Sequence, residues 1–236
     1  MPATSMRTIG LLGGMSCESS AEYYRVVNET VRARLGGHHS ARSVMYSLDF
    51  ADVRDLQAAG RWDDAGALLA GAAKCLEAAG ADLLVLCTNL MHKVAPAVEA
   101  ATSLPLLHIG DATAARVKAD GLGTVGLLGA AWTMEEDFLR GRLAGHGLRV
   151  LIPGPADREL VDRVIFEELT TGIWTDASQR AYRRVIDGLV AAGAEGVILG
   201  CTEIELLVSQ ADSPVPLYPT ARIHAEAAVD AALGAR

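Results

Sequence analysis

Short unbroken runs of apolar residues alternate along this chain with longer stretches in which apolar positions return every three or four residues, the pattern of buried strands joined by amphipathic helices. Thr8 to Leu12 reads as a strand running into Gly13-Gly14-Met15-Ser16, where glycines let the backbone turn tightly and approach a ligand. Glu18 to Leu35 places Tyr23, Val26, Val27, Val31 and Leu35 on one helical face, and Gly36-Gly37 ends it. Ser43 to Leu48 predicts a second strand, Asp49 to Asp52 the loop beyond it and Val53 to Ala59 a short helix, with Asp49 and Gln57 near the ligand-facing end. A helix from Asp63-Asp64 through Leu68, Leu69, Ala72 and Leu76 carries carboxylates at its positive end. The strand Leu83 to Leu86 then delivers Cys87, and Pro105 to His108 forms a short strand before an alanine-rich helix from Asp111.

The same order then begins again. Thr124-Val125-Gly126-Leu127-Leu128-Gly129 repeats Thr8-Ile9-Gly10-Leu11-Leu12-Gly13, and Ala191-Ala192-Gly193-Ala194-Glu195 before Val197-Ile198-Leu199 repeats Ala78-Ala79-Gly80-Ala81-Asp82 before Leu83 to Leu86. Pro216-Leu217-Tyr218 and its alanine-rich helix repeat Pro105-Leu106-Leu107. Between these landmarks, Met134 to Leu143, Leu160 to Leu169 and Thr175 to Ala192 read as helices. An internal duplication accounts for landmarks that recur in order at nearly constant spacing. The expected architecture is α/β: two pseudo-symmetric parallel-sheet domains with the active site in the cleft between them. The first spans residues 1–110, with the C-terminal helix 219–236 available to complete it, and the second spans 111–218. The crossings are expected near Gly110 and near Pro214 to Pro219.

Composition narrows the function. In 236 residues, 21 lysines and arginines against 29 acidic residues give a net charge of −8, which repels a phosphate backbone, so nucleic acid is not expected as a partner. No stretch reads as a signal peptide or membrane span, and the expected location is the cytoplasm. The four cysteines lack the spacing of a disulfide framework and read as free thiols.

Two of those thiols stand where ligands of open α/β sheets bind, past the carboxyl ends of the duplicated strands: Cys87-Thr88-Asn89 and Cys201-Thr202-Glu203. A cysteine is ordinarily a small buried hydrophobe. Two cysteines at matching strand ends, each followed by Thr and a polar residue, point instead to a functional pair. Backbone N–H groups after each strand are expected to favour the thiolate and lower the pKa from about 8.5. Cys75, among Ala72, Ala73 and Leu76, reads as core, and Cys17 is assigned no role. Cys87, His92 and His108 lack the close paired spacing of a zinc site, so no metal is expected and His92 reads as a satisfied polar residue. Gly10 to Gly14 is not G-x-G-x-x-G, so no dinucleotide is expected.

Ile9 to Ser16, Cys87-Thr88-Asn89-Leu90-Met91-His92-Lys93-Val94 and Leu199-Gly200-Cys201-Thr202-Glu203-Ile204 resemble the aspartate/glutamate racemase family, within the Asp/Glu/hydantoin racemase superfamily, across nearly the whole chain. Tyr23-Tyr24-Arg25, His39-Ser40-Ala41 and Asp49-Phe50 are similar to its broad-specificity branch. The resemblance implies a racemase without pyridoxal phosphate or other cofactor, homodimeric, acting on an amino acid through Cys87 and Cys201. It further implies substrate contacts at Met15, Gln57, Thr88, Asn89, Thr133, Thr202 and Glu203. Cys17 departs from the aromatic residue of close relatives. Ser47 to Val53 lacks the basic residue that aspartate-specific members use for the distal carboxylate, which favours a broad substrate range over strict aspartate or glutamate racemisation. A non-catalytic amino-acid or dicarboxylate binding module, and an isomerase or decarboxylase of the same superfamily, are the alternative readings.

Overall fold

The strands with unbroken apolar runs lie at the centre of two parallel sheets, as burial on both faces demands. A computed structural model describes residues 6–234 as two units, one made of the chain up to Ile109 together with the segment from His224 onward, the other of Gly110–Ile223. The second crossing falls at His224, inside a helix, rather than in the proline-bearing stretch 214–219.

In the first unit, β1 (Ile9–Gly13), α1 (Cys17–Leu35), β2 (Ser43–Ser47), α2 (Phe50–Ala58), α3 (Trp62–Ala78), β3 (Leu83–Leu86), a 3-10 turn (Leu90–Val94), α4 (Ala95–Glu99) and β4 (Leu106–Leu107) follow in order. The sheet order is β2-β1-β3-β4, all parallel. Asp49 lies in the loop beyond β2, as expected, and its carboxylate caps α2 by accepting from Ala51 N–H at 3.0 Å; Phe50 to Asp52 are already helical, so the helix begins earlier than its apolar spacing predicts. α3 lays Ala65, Leu69, Ala72, Ala73 and Leu76 against Leu12, Leu84 and Leu86. Cys75 lies on the opposite side of that helix and is exposed, which corrects its reading as core.

The second unit holds α5 (Ile109–Ala119, whose first residue belongs to the first unit), β5 (Thr124–Leu128), α6 (Ala131–Glu135), α7 (Asp137–Gly145), β6 (Arg149–Leu151), α8 (Pro155–Glu167), α9 (Asp176–Ala191), β7 (Gly196–Leu199), α10 (Ile204–Leu207), β8 (Leu217–Pro219) and the start of α11 (Thr220–Leu233). Its sheet order, β6-β5-β7-β8, repeats the first and is parallel throughout. The helix expected over 134–143 is two, because Glu136 is extended (φ −88°, ψ 160°). The one expected from Leu160 starts at Pro155, a favoured first helical residue. β6, three residues long, carried no periodic signal. Tyr182, Val185, Ile186 and Leu189 of α9 pack with Val161, Val164 and Ile165 of α8 and with Val197 and Leu199.

The duplication extends to polar contacts. The Asp82 carboxylate accepts from Thr8 N–H at 2.6 Å, just before β1, and Glu195 accepts from Thr124 N–H at 2.7 Å, at the first residue of β5. Each acidic residue pins the start of one central strand to the start of the next.

A cluster of rings with polar atoms sits inside the apolar first unit: His92, His108, His224 and Tyr23 are all buried. The His92 ring stands 4.5 Å from His108 and 5.7 Å from His224, edge-on to both. His224 Nε2 donates to the Leu107 carbonyl at 2.8 Å, so its Nδ1 is the acceptor for the Tyr23 hydroxyl, also at 2.8 Å. Burial lowers the His224 pKa to about 4 and holds His92 well below the ordinary histidine range.

Two predictions follow from this packing. At Gly14 φ is +86° and a β-carbon would overlap the backbone of Leu48, so Gly14→Ala should cost about 3 kcal/mol or more in urea unfolding. Gly121, at φ +77° with open space around it, should lose only about 1–2 kcal/mol as Gly121→Ala; equal losses would refute the overlap argument. Second, the unfolded chain takes up protons on His92 and His224 at about pH 6.5 and the folded chain does so only lower, so stability is full above that pH and falls as pH drops toward 4. His224 alone should remove about 3 kcal/mol across that window, measured by urea denaturation between pH 7.5 and 4.5. A flat profile would show that the histidines are not held neutral.

Candidate functional site

In a sheet of order β2-β1-β3-β4 the chain turns outward on opposite sides after β1 and β3, leaving a crevice at the carboxyl ends of those two strands. Cys87 is the first residue beyond β3. Its N–H donates to the Leu12 carbonyl at 2.9 Å, and its carbonyl accepts from Ser19 Oγ, near the start of α1, at 2.8 Å. Ser16 caps α1, its Oγ accepting from Ser19 N–H at 3.3 Å, and Ser20 Oγ accepts from Gly14 N–H at 2.7 Å while donating to the Ser16 carbonyl at 2.8 Å. The glycine loop, three serines and the Cys87 peptide thus form one hydrogen-bonded unit. The Cys87 thiol is fully buried, with only a long contact of 3.8 Å to the Val85 carbonyl, and burial pushes its pKa far up.

The second copy departs from the first by one residue. Gly200, not Cys201, donates its N–H to the Leu128 carbonyl, at 2.6 Å. A β-carbon at Gly200 would stand 2.9 Å from that same carbonyl and 3.1 Å from Leu127, so a side chain is excluded and the cysteine falls one position later. The two thiols therefore do not occupy equivalent positions. Cys201 is partly exposed, and its S–H donates to the Glu203 carboxylate at 3.0 Å. Burial and then the Glu203 charge hold its pKa well above the ordinary thiol value, although the N–H groups of Glu203 and Ile204 act in the opposite sense. The expected lowering of both pKa values is thus overturned: the backbone donors are present at Cys201, but desolvation and a neighbouring carboxylate outweigh them.

The remaining candidates fall into two sets, one per unit. Met15 is buried in the first core, and Gln57 donates Nε2–H to Met91 Sδ at 3.1 Å while its Oε1 accepts from Arg54 at 3.2 Å. Thr88 and Asn89 lead from Cys87 into the 3-10 turn and are buried. In the second unit Thr133 on α6 packs its methyl against the Gly129–Gly200 strand ends, and its hydroxyl is buried without a hydrogen-bond partner. Thr202 and Glu203 are buried beside Cys201. The structure adds Ser16, Ser19 and Ser20, whose signal in the sequence was a serine cluster at a helix start directly after glycines. Cys17 lies apart, exposed in an open hollow of about 450 Å³ with Tyr24, Ser43 and Met45, and Glu18 raises its pKa. Among the described residues no group of three or more His, Cys, Asp or Glu side chains is placed to hold a metal, and no helix is long and apolar enough to cross a membrane.

A proposed Asp/Glu racemase from Yersinia pestis is 53% identical over 97% of this chain and all of that one, with a TM-score of 0.92. An aspartate racemase homologue from Pyrococcus horikoshii is 33% identical over 96% of this chain and 99% of its own, at 0.85. The aspartate racemase of Picrophilus torridus, 20% identical over 98% and 95% of the two chains, shares the fold at 0.77. The family model described as Asp/Glu/Hydantoin racemase matches residues 12–228, a span that holds both cysteines. The chain belongs to the Asp/Glu/hydantoin racemase family, and its function is of the racemase type.

Proposed function

We propose that this protein racemises free amino acids without pyridoxal phosphate, with Cys87 and Cys201 as its two acid–base groups. The observation that carries the reading is the Cys201 S–H resting on the Glu203 carboxylate while the Cys87 thiol meets a backbone carbonyl, that of Val85, at 3.8 Å. Inverting a stereocentre requires a proton to leave one face and another to arrive on the opposite face, which two groups accomplish and one does not. Cys201 passes its proton to Glu203 and takes the α-proton of the substrate, while Cys87, kept protonated by burial, delivers its proton to the other face. The enzyme is left with the Cys87 thiolate and protonated Glu203, one negative charge as before, and that form accepts the opposite enantiomer. The chemistry requires both sulfurs to reach opposite faces of one α-carbon.

The side chains of Thr88, Asn89 and Thr202 supply donors for the α-carboxylate, where charge accumulates as the proton leaves. The unpartnered Thr133 hydroxyl is available to the same ligand, since a buried hydroxyl without a partner is costly unless a ligand completes it. Met15 and Gln57 border the substrate side chain. Ser47 to Val53 carries no basic residue for a second carboxylate, and Arg54, the next residue, donates to the amide oxygen of the neutral Gln57. That arrangement supports a broad substrate range that includes neutral polar amino acids.

Cys87→Ser and Cys201→Ser should each lower racemisation at least about 100-fold, read by polarimetry and by α-proton exchange in heavy water. Parent-rate racemisation by either variant would refute the two-base reading. A chiral chromatography screen of the common amino acids, on protein verified to lack pyridoxal phosphate, should show turnover of several. Turnover confined to aspartate or glutamate would refute the broad range, and achiral product would point to decarboxylation.

A further inference from the structure

We infer that His92 is a positioning residue for Cys87, acting as a rigid neutral strut between the backbone that follows the cysteine and the point where the chain leaves the first unit. The inference rests on the reading of Cys87 as a catalytic group. His92 Nδ1 stands 2.8 Å from the Thr88 carbonyl, and Nε2 receives the Ile109 N–H at 3.2 Å. A carbonyl only accepts and a backbone N–H only donates, so the two contacts fix one tautomer, Nδ1–H with a bare Nε2. A second proton on the ring would set Nε2–H against Ile109 N–H. The ring is 2% exposed, and its edge-on contacts with His108 and His224 leave it no room to swing.

The consequence lies in what the strut holds. The Cys87 peptide is fixed through its N–H on Leu12 and its carbonyl on Ser19, and the Thr88 carbonyl on His92 is the next anchor along the chain. Thr88 N–H turns back to Leu86 at 2.8 Å, so the segment leaves the strand abruptly and the orientation of the cysteine depends on where the Thr88 carbonyl is pinned. Ile109 is the last residue before the chain passes to the second unit. The imidazole therefore ties the cysteine turn to that crossing. His224, the first residue after the chain returns, has the reverse tautomer, with Nε2–H on Leu107 and a bare Nδ1 toward Tyr23.

Nitrogen-15 NMR of the histidine rings at pH 7 tests the strut without reference to activity: His92 should show protonated Nδ1 and bare Nε2, and His224 the reverse. Two substitutions then separate the ends. Asn places an amide N–H where Nδ1 stands and so keeps the bond to Thr88, whereas Gln places its oxygen near Nε2 and keeps only the bond to Ile109. His92→Gln should lower kcat at least about 10-fold, toward 100-fold, with KM little changed, and shift the Thr88 and Asn89 amide resonances. His92→Asn should recover most of the loss and leave those resonances near their parent positions. The inference is overturned if His92 shows the other tautomer or a charged ring, if both variants keep parent kcat, or if both lose it equally in step with thermal stability. Should the parent racemise no amino acid, the catalytic reading fails separately, and the ring tautomers with the Thr88 and Asn89 shifts still decide whether His92 pins the turn.

Discussion

Two carbonyl groups, those of Leu12 and Leu128, decide where each central strand pair stops being sheet. Each accepts one last N–H from the neighbouring strand, from Cys87 in one unit and from Gly200 in the other. Everything beyond that bond is free to leave the sheet, and Cys87, Thr88 and Asn89 in one unit and Cys201, Thr202 and Glu203 in the other stand within three residues of it. Parallel pairing makes this possible, because strands in one direction bring their carboxyl ends and the following turns to the same edge. A cysteine placed on the last bonded residue is held in the wall. One placed a residue later is presented from the turn, with the N–H groups of Glu203 and Ile204 at its sulfur.

That one-residue difference sets the chemistry of the pair. Desolvation acts on both thiols in the same sense and favours the neutral form. It acts alone at Cys87, whereas at Cys201 a carboxylate within hydrogen-bond distance adds its charge. A carboxylate that raises a thiol pKa is also the group able to take that proton, so the Cys201–Glu203 pair holds one negative charge and one mobile proton. The duplicated strands each lead into a cysteine, and the one-residue offset makes the two unlike.

The polar groups that support this edge are bonded to one another inside otherwise apolar surroundings. Ser16, Ser19 and Ser20 form one cluster with Gly14 and Cys87, His92 bridges Thr88 and Ile109, and His224 bridges Tyr23 and Leu107, the two imidazoles packing edge-on. A hydrogen-bonded buried group costs little while a broken partner costs much, so such clusters specify one arrangement of the backbone they touch.

The sequence by itself determined the α/β class, the duplication and the identity of the central strands, because buried parallel strands are written as contiguous apolar runs and duplicated runs are visible as text. It also singled out Cys87 and Cys201 with their Thr-polar successors, since polar residues directly after such runs have no place in a core. Only the tertiary structure decided that the two cysteines are one register position apart, because register depends on a hydrogen bond to a strand more than seventy residues away. The exposure of Cys75 likewise depends on which side of α3 meets the sheet, a choice that alanines on neighbouring faces leave open to pattern reading. The break at Glu136 and the Asp49 cap belong to local backbone geometry that apolar spacing does not encode. The direction of the thiol pKa shifts was decided last, by summing burial against backbone donors and charge, and that sum exists only once the chain is folded.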